Sequence, residues 1–205
     1  MNFFDNSAFR FSRLTTTAVF FEFGLGLLAI LGGWWWKLDL WVMPGHARIA
    51  EWQQAMWGLV MTLPLLSLLL LERSSWRWVE RLRAVMERDI VPRFIRLSHF
   101  ELALIAAAAG LGEELLFRGF LQQLAVRSCG VWIGISLASL VFGAVHAISK
   151  EYIWVATAMG VYFGLVHAYF GQTLIVVVMH GVYDWVALVY LVRRHIAETR
   201  AHRTE

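Results

Sequence analysis

The sequence predicts an all-α, polytopic membrane helix bundle of about six transmembrane helices plus one amphipathic interfacial helix. Three observations carry that prediction. The 205 residues are 59% hydrophobic and only 16% charged, against roughly 45–50% and ~25% in a soluble domain. The apolar residues gather into runs near the ~20 residues that a helix needs to cross a ~30 Å hydrocarbon core. Eleven Trp and fourteen Phe suit a chain with two lipid–water interfaces, where Trp collects. The lone Cys129 excludes an internal disulfide and any cysteine-based metal motif.

Taken in order, residues 1–14 are short and mixed, with Arg10 and Arg13. The apolar run after them continues beyond the length of a signal-peptide core and has no small-residue cleavage site, so no cleavable leader is expected. The first span is 15–36, closed by Trp34, Trp35, Trp36 and Lys37 as an interfacial belt. Glu22 lies inside it and reads as a bundle-facing carboxylate. A loop with Pro44-Gly45 leads to the second span, 52–71, which contains Pro64, a residue that membrane helices tolerate. Residues 72–98 change character. They carry seven Arg, and Trp78, Leu82, Val85 and Met86, with Val79 and Ile90 alongside, share one helical face. This is a basic amphipathic helix for a membrane surface, ended by Pro92 and able to guide a substrate tail. Four further spans follow at 100–126, 131–147, 152–170 and 173–192, before a polar tail. Gly160 and Gly164 form a small-xxx-small packing signal in the fifth.

Six spans put residues 1–14, 72–98, 148–151 and the tail on one side. Those segments hold fourteen of the eighteen basic residues. The positive-inside rule makes that side, with both termini, cytoplasmic. The same asymmetry accounts for the net charge of +3, and no nucleic-acid partner is expected. The chain divides into 1–98 (two spans and the basic connector), 99–192 (a catalytic bundle) and 193–205 (a tail).

Besides Glu22 and His167, three apolar segments carry ionisable groups; a charge at membrane depth costs at least ~2.5–3.5 kcal/mol and therefore needs a reason. Glu113 and Glu114 are neighbours, about 100° apart on a helix. Glu114 and Arg118 stand at i, i+4 and can pair, leaving Glu113 to face another element. Phe142 and His146 repeat the spacing, as do His180 and Asp184. An Asp one turn from a His can set its tautomer or hold it as imidazolium. At 1.5 Å per residue, His180 lies ~12 Å and Asp184 ~18 Å from the outer side, and Glu113 roughly 15–20 Å from the inner side. One site in the cytoplasmic half can gather Glu113, His146, His180 and Asp184. Such a set suits peptide-bond hydrolysis. A carboxylate and an imidazole deprotonate a water, and a second imidazole with a further donor stabilises the oxyanion. Ser136 and Ser139 have no His or Lys near them in sequence and read as packing residues. His167 reads as a satisfied bundle histidine, while His46, His99, His195 and His202 fall in loops, at helix ends or in the tail.

Glu113-Glu114-x-x-x-Arg118, Phe142-x-x-x-His146 and His180-x-x-x-Asp184 resemble the three ordered motifs of the CPBP family, which comprises CAAX proteases, bacteriocin-processing proteins and bacterial Abi proteins. The resembling region is roughly 100–192. The resemblance implies an intramembrane endopeptidase in which Glu113 and His146 activate the water and His180 and Asp184 form the oxyanion site. Glu114, Arg118 and Phe142 support them. Many members carry Asn where Asp184 stands, and an Asp donates a hydrogen bond only when protonated. No cofactor is implied. Zinc on Glu113, His146 and His180 is the alternative, although His-Glu-x-x-His is absent. A non-proteolytic immunity or scaffold protein and a proton-coupled transporter are the rivals, and the lack of an inverted repeat speaks against the last. The implied partners are the lipid bilayer and a membrane-anchored or lipidated protein or peptide, with cleavage near a CAAX-like or sorting tail as the implied reaction. The expected location is a prokaryotic inner membrane.

Overall fold

The computed structural model describes residues 11–71 and 74–201, Leu71 by its backbone alone. Arg10, Arg73, His202 and Arg203 lie outside the described residues. The helices are α1 (Arg13–Trp36), α2 (Glu51–Leu71), α3 (Arg77–Val85), α4 (Val91–Phe94), α5 (His99–Glu114), α6 (Gln123–Cys129), α7 (Val131–Val145), α8 (Lys150–Phe170) and α9 (Thr173–Ala201). Two π segments, Met86–Ile90 and Leu115–Gln122, join α3 to α4 and α5 to α6. Among the described residues there is no strand, only an isolated bridge between Val42 and Gln172. Helices α1, α2, α8 and α9 are long and apolar enough to cross a membrane, and α7 is a shorter apolar helix. The chain is an all-α membrane bundle.

Side-chain size decides how closely these helices approach. On α1, Phe20, Phe21, Leu27 and Leu31 are exposed, as lipid-facing residues should be. The buried residues of α1 are Thr15, Glu22, Gly26, Ala29 and Gly33, which form a narrow seam against α5, the π segment that follows it and Leu40. One carboxylate sets the register of that seam. Glu101 completes a capping box with Ser98 at the start of α5. Its other oxygen accepts from the Ser12 backbone N–H at 2.9 Å and the Thr15 hydroxyl at 3.0 Å. The two helix starts are therefore tied together. On its other side α5 packs against α9. A Cβ at Gly110 would stand 2.8 Å from Gly181 N and 2.8 Å from Val177 O, so only glycine allows this approach. The core beneath is Phe117, Phe142, Phe163, Ile175, Val176 and Met179.

Two boundaries differ from the sequence reading. Pro92 does not end the amphipathic stretch but sits in the first turn of α4, which runs on to Phe94. There its missing N–H has least effect. The last helix passes Val192 and continues to Ala201. No glycine or proline falls between Val192 and Ala201, and Arg194 pairs with Glu198 at 3.1 Å and with Glu87 across the fold. The apolar face of α3 also has a partner inside the molecule. Val79 is buried, Arg81 pairs with Glu151 of α8 at 3.7 Å, and the face closes over a cavity.

Candidate active site

The site is built where α5 gives way to the π segment Leu115–Gln122. A π turn inside an α-helix often marks a functional position. Glu113 and Glu114 are the last two residues before it, and Arg118 lies within it. Glu114 and Arg118 are fully buried and paired, Arg118 Nη1 donating to Glu114 Oε1 at 2.8 Å. The guanidinium also donates to the Gly160 carbonyl at 3.0 Å. It lies 4.6 Å from the Phe142 ring centroid and 5.0 Å from that of Phe163. Aromatic faces and a carboxylate thus replace the water that this cation loses.

His180 joins the same carboxylate. Its Nδ1–H donates to Glu114 Oε1 at 2.8 Å, and its Nε2 stands 3.3 Å from Asp184 Oδ2. The ring stacks on Phe163, centroids 5.0 Å apart at 26°. With a carboxylate at each nitrogen, both N–H groups of an imidazolium have acceptors. A neutral ring would instead accept at Nε2 from a protonated Asp184.

His146 caps the C-terminal end of α7. Its Nδ1–H donates to the Phe142 carbonyl at 2.8 Å, which leaves Nε2 directed at Glu113 Oε2, 3.6 Å away. That separation is wider than a direct hydrogen bond and suits a group held between them. Phe142 separates the two histidines, 4.5 Å from His146 and 6.1 Å from His180 between ring centroids. The structure thus pairs Glu113 with His146 and His180 with Asp184, the two pairs meeting across Phe142, and Glu114 and Arg118 pack beside His180 and Phe142.

A cavity of about 350 Å³ opens beside this centre. His146, His180 and Asp184 line its polar end, and Leu68, Leu82 and Met86 belong to its apolar walls. Glu113 is not a lining residue and meets the lining through His146. Tyr152 and Tyr183 also line the cavity, and with Phe163 they were not picked out in the sequence reading. Only Tyr183 carried a signal, its place beside Asp184. Zinc finds no ready ligand set. Among the described residues no three His, Cys, Asp or Glu side chains converge to hold a metal, and both ring nitrogens of His180 already face carboxylates.

The remaining polar residues lie elsewhere. His167 is half satisfied: it donates from Nε2 to Thr173 Oγ1 at 3.1 Å, while its buried Nδ1 has no hydrogen-bond partner. Ser139 donates to Ile135 O at 2.7 Å within its own helix. Cys129 is exposed.

Residues 96–186 match the family model described as Type II CAAX prenyl endopeptidase Rce1-like. The match contains Glu113, Glu114, Arg118, Phe142, His146, His180 and Asp184, and leaves out α1, α2 and α3. No curated protein and no solved structure matches the chain.

Proposed function

We propose that this integral membrane protein, which carries an Rce1-like domain over residues 96–186, is a CAAX-type intramembrane endopeptidase. The observation that carries the reading is the pairing of Glu113 with His146 opposite His180 with Asp184, beside one cavity. In this reading a water sits between Glu113 Oε2 and His146 Nε2 and gives up a proton to that pair. Its oxygen attacks the scissile carbonyl carbon. The carbonyl oxygen takes the negative charge and receives a hydrogen bond from His180 Nε2–H, which it shares with Asp184 Oδ2, 3.3 Å away. Each such donor is worth about 2.7–4 kcal/mol in soluble enzymes. Collapse breaks the C–N bond, and the proton taken from water passes to the leaving amine.

The mechanism as drawn uses no metal. The proposed substrate is a membrane-anchored or lipidated protein or peptide cut near a CAAX-like or sorting tail, its apolar part in the cavity. The proposed setting is a prokaryotic inner membrane with both termini cytoplasmic. Residues 99–192 form the catalytic bundle, 1–98 the flanking helices and connector, and 193–205 the tail.

The test is cleavage of a panel of prenylated and tail-anchored peptides by purified protein in lipid. Wild type is compared with Glu113→Ala, with and without a chelator. Cleavage lost in Glu113→Ala and indifferent to chelator is the expected result. Loss with chelator and recovery with zinc would transfer the residues to a metalloprotease. Equal cleavage by wild type and Glu113→Ala would overturn the role of Glu113.

A further inference from the structure

Glu22 is the one acidic residue among the buried positions of α1, in a seam otherwise made of Thr15, Gly26, Ala29 and Gly33. It lies outside the segment that matches the family model. Its side chain is 9% exposed, and its Oε2 is buried with no hydrogen-bond partner. An ionisable group left so in a membrane helix needs a reason.

Packing supplies one. The backbone of Glu22 lies directly against Gly112, where a Cβ would strike the Glu22 carbonyl. Gly112 precedes Glu113. The tie from Glu101 to Ser12 and Thr15 fixes the register that brings Glu22 to this point. Besides its burial, Glu22 lies within electrostatic reach of Glu113, His180, His146 and Asp184, all residues of the site. Glu113 also has a buried Oε2 with no direct hydrogen bond, the atom that faces His146 Nε2 at 3.6 Å. Two buried carboxylates close to one another do not both ionise readily. Glu113 has His146 as a counter-group, whereas no Arg, Lys or His forms an ion pair with Glu22 among the described residues.

We propose that Glu22 is a positioning residue for Glu113: its carboxyl group holds the proton of the pair and donates a hydrogen bond, directly or through one water, to the Glu113 carboxylate. That bond fixes which way the base points and leaves its charge to His146 and the attacking water. The assignment of Glu113 as base rests on the proposed protease activity. The protonation of Glu22 does not, which gives the two ideas separate tests.

The first test is infrared spectroscopy of the purified protein in lipid. The wild-type minus Glu22→Gln difference spectrum is expected to contain the C=O stretch of a protonated carboxylic acid, shifted in heavy water. Its absence would mean that Glu22 is ionised and would overturn the proposal. The second test is kinetic, on any peptide that wild type cleaves and Glu113→Ala does not. Glu22→Leu is expected to lower kcat about 10–100-fold, the range for a hydrogen bond to a charged group. KM should hold, and thermal stability should stay level or rise. Glu22→Gln, whose amide still donates, should recover most of kcat. Wild-type kcat in Glu22→Leu, or an equal defect in both variants, would reduce Glu22 to a packing residue. Should Glu113→Ala itself keep full activity, the protease mechanism fails while the infrared result still decides the state of Glu22.

Discussion

His180 Nδ1 lies 2.8 Å from the same Glu114 oxygen that accepts from Arg118. Glu114 therefore links a buried cation on its own helical run to a histidine on α9. The i, i+4 spacing of Glu114 and Arg118 shows the ion pair, and on that basis alone it would be a packing device. The contact with His180 gives it a second task, orienting the imidazole of the proposed oxyanion site.

Arg118→Met should therefore be among the most damaging single changes. It leaves the Glu114 carboxylate buried without its main counter-charge, a loss of about 3–5 kcal/mol for a broken buried pair. Glu114→Gln combined with Arg118→Met removes both charges and should unfold at a higher temperature than Arg118→Met alone. Thermal unfolding in detergent micelles measures the order of the two.

Phe163 should matter to both folding and turnover. It stacks on His180 and lies 5.0 Å from Arg118, fully buried. Phe163→Ala should cost about 3–5 kcal/mol, as for other large-to-small core changes. Phe163→Leu should fold better yet still lower kcat, because the flat face under the imidazole is lost. Unfolding and steady-state rates, measured on both variants, separate the two effects.

Gly112 and Gly24 make a paired test of the α1–α5 seam. A Cβ at Gly112 would meet the Glu22 backbone, and one at Gly24 meets nothing within 4 Å. Gly112→Ala should destabilise by about 1–3 kcal/mol, the usual cost of overpacking. Gly24→Ala should be neutral or stabilising by up to ~1 kcal/mol from helix propensity. Equal unfolding temperatures for the two would argue against close contact of these helices.

Met86 lines the cavity, well away in sequence from the three polar motifs. Met86→Asp puts a charge where the substrate's apolar part is proposed to lie. It should raise KM by roughly tenfold, equivalent to about 1.4 kcal/mol of binding, and leave kcat nearly unchanged. A fall in kcat at constant KM would place the substrate elsewhere.

The membrane class and the principal polar residues were legible because both depend on local pattern. Apolar runs report spans, and a charge inside such a run stands out whatever its neighbours. The i, i+4 spacings of Glu114 with Arg118, Phe142 with His146 and His180 with Asp184 survive as contacts because helix geometry enforces them. The pairing of Glu114 with His180 spans 66 positions and has no local trace. Neither do the stacking of Phe163, the placing of Tyr152 in the cavity wall and the burial of Glu22 against Gly112, since an aromatic or acid in a membrane helix can face lipid, neighbour or cavity. The π segment at Leu115–Gln122 has no composition of its own. The amphipathic face of α3 was legible, but a period of 3.6 does not say whether it meets lipid or protein.

The central claim is that Glu113 and His146 act as one unit on one water. The most direct measurement is a double-mutant cycle on kcat for a cleaved peptide, with Glu113→Gln, His146→Ala and the pair together. The account predicts that each single change removes most of the activity and that the double variant is hardly worse than either, as for residues that work as a unit. Additive losses, or a Glu113→Gln variant that turns over at the wild-type rate, would contradict it.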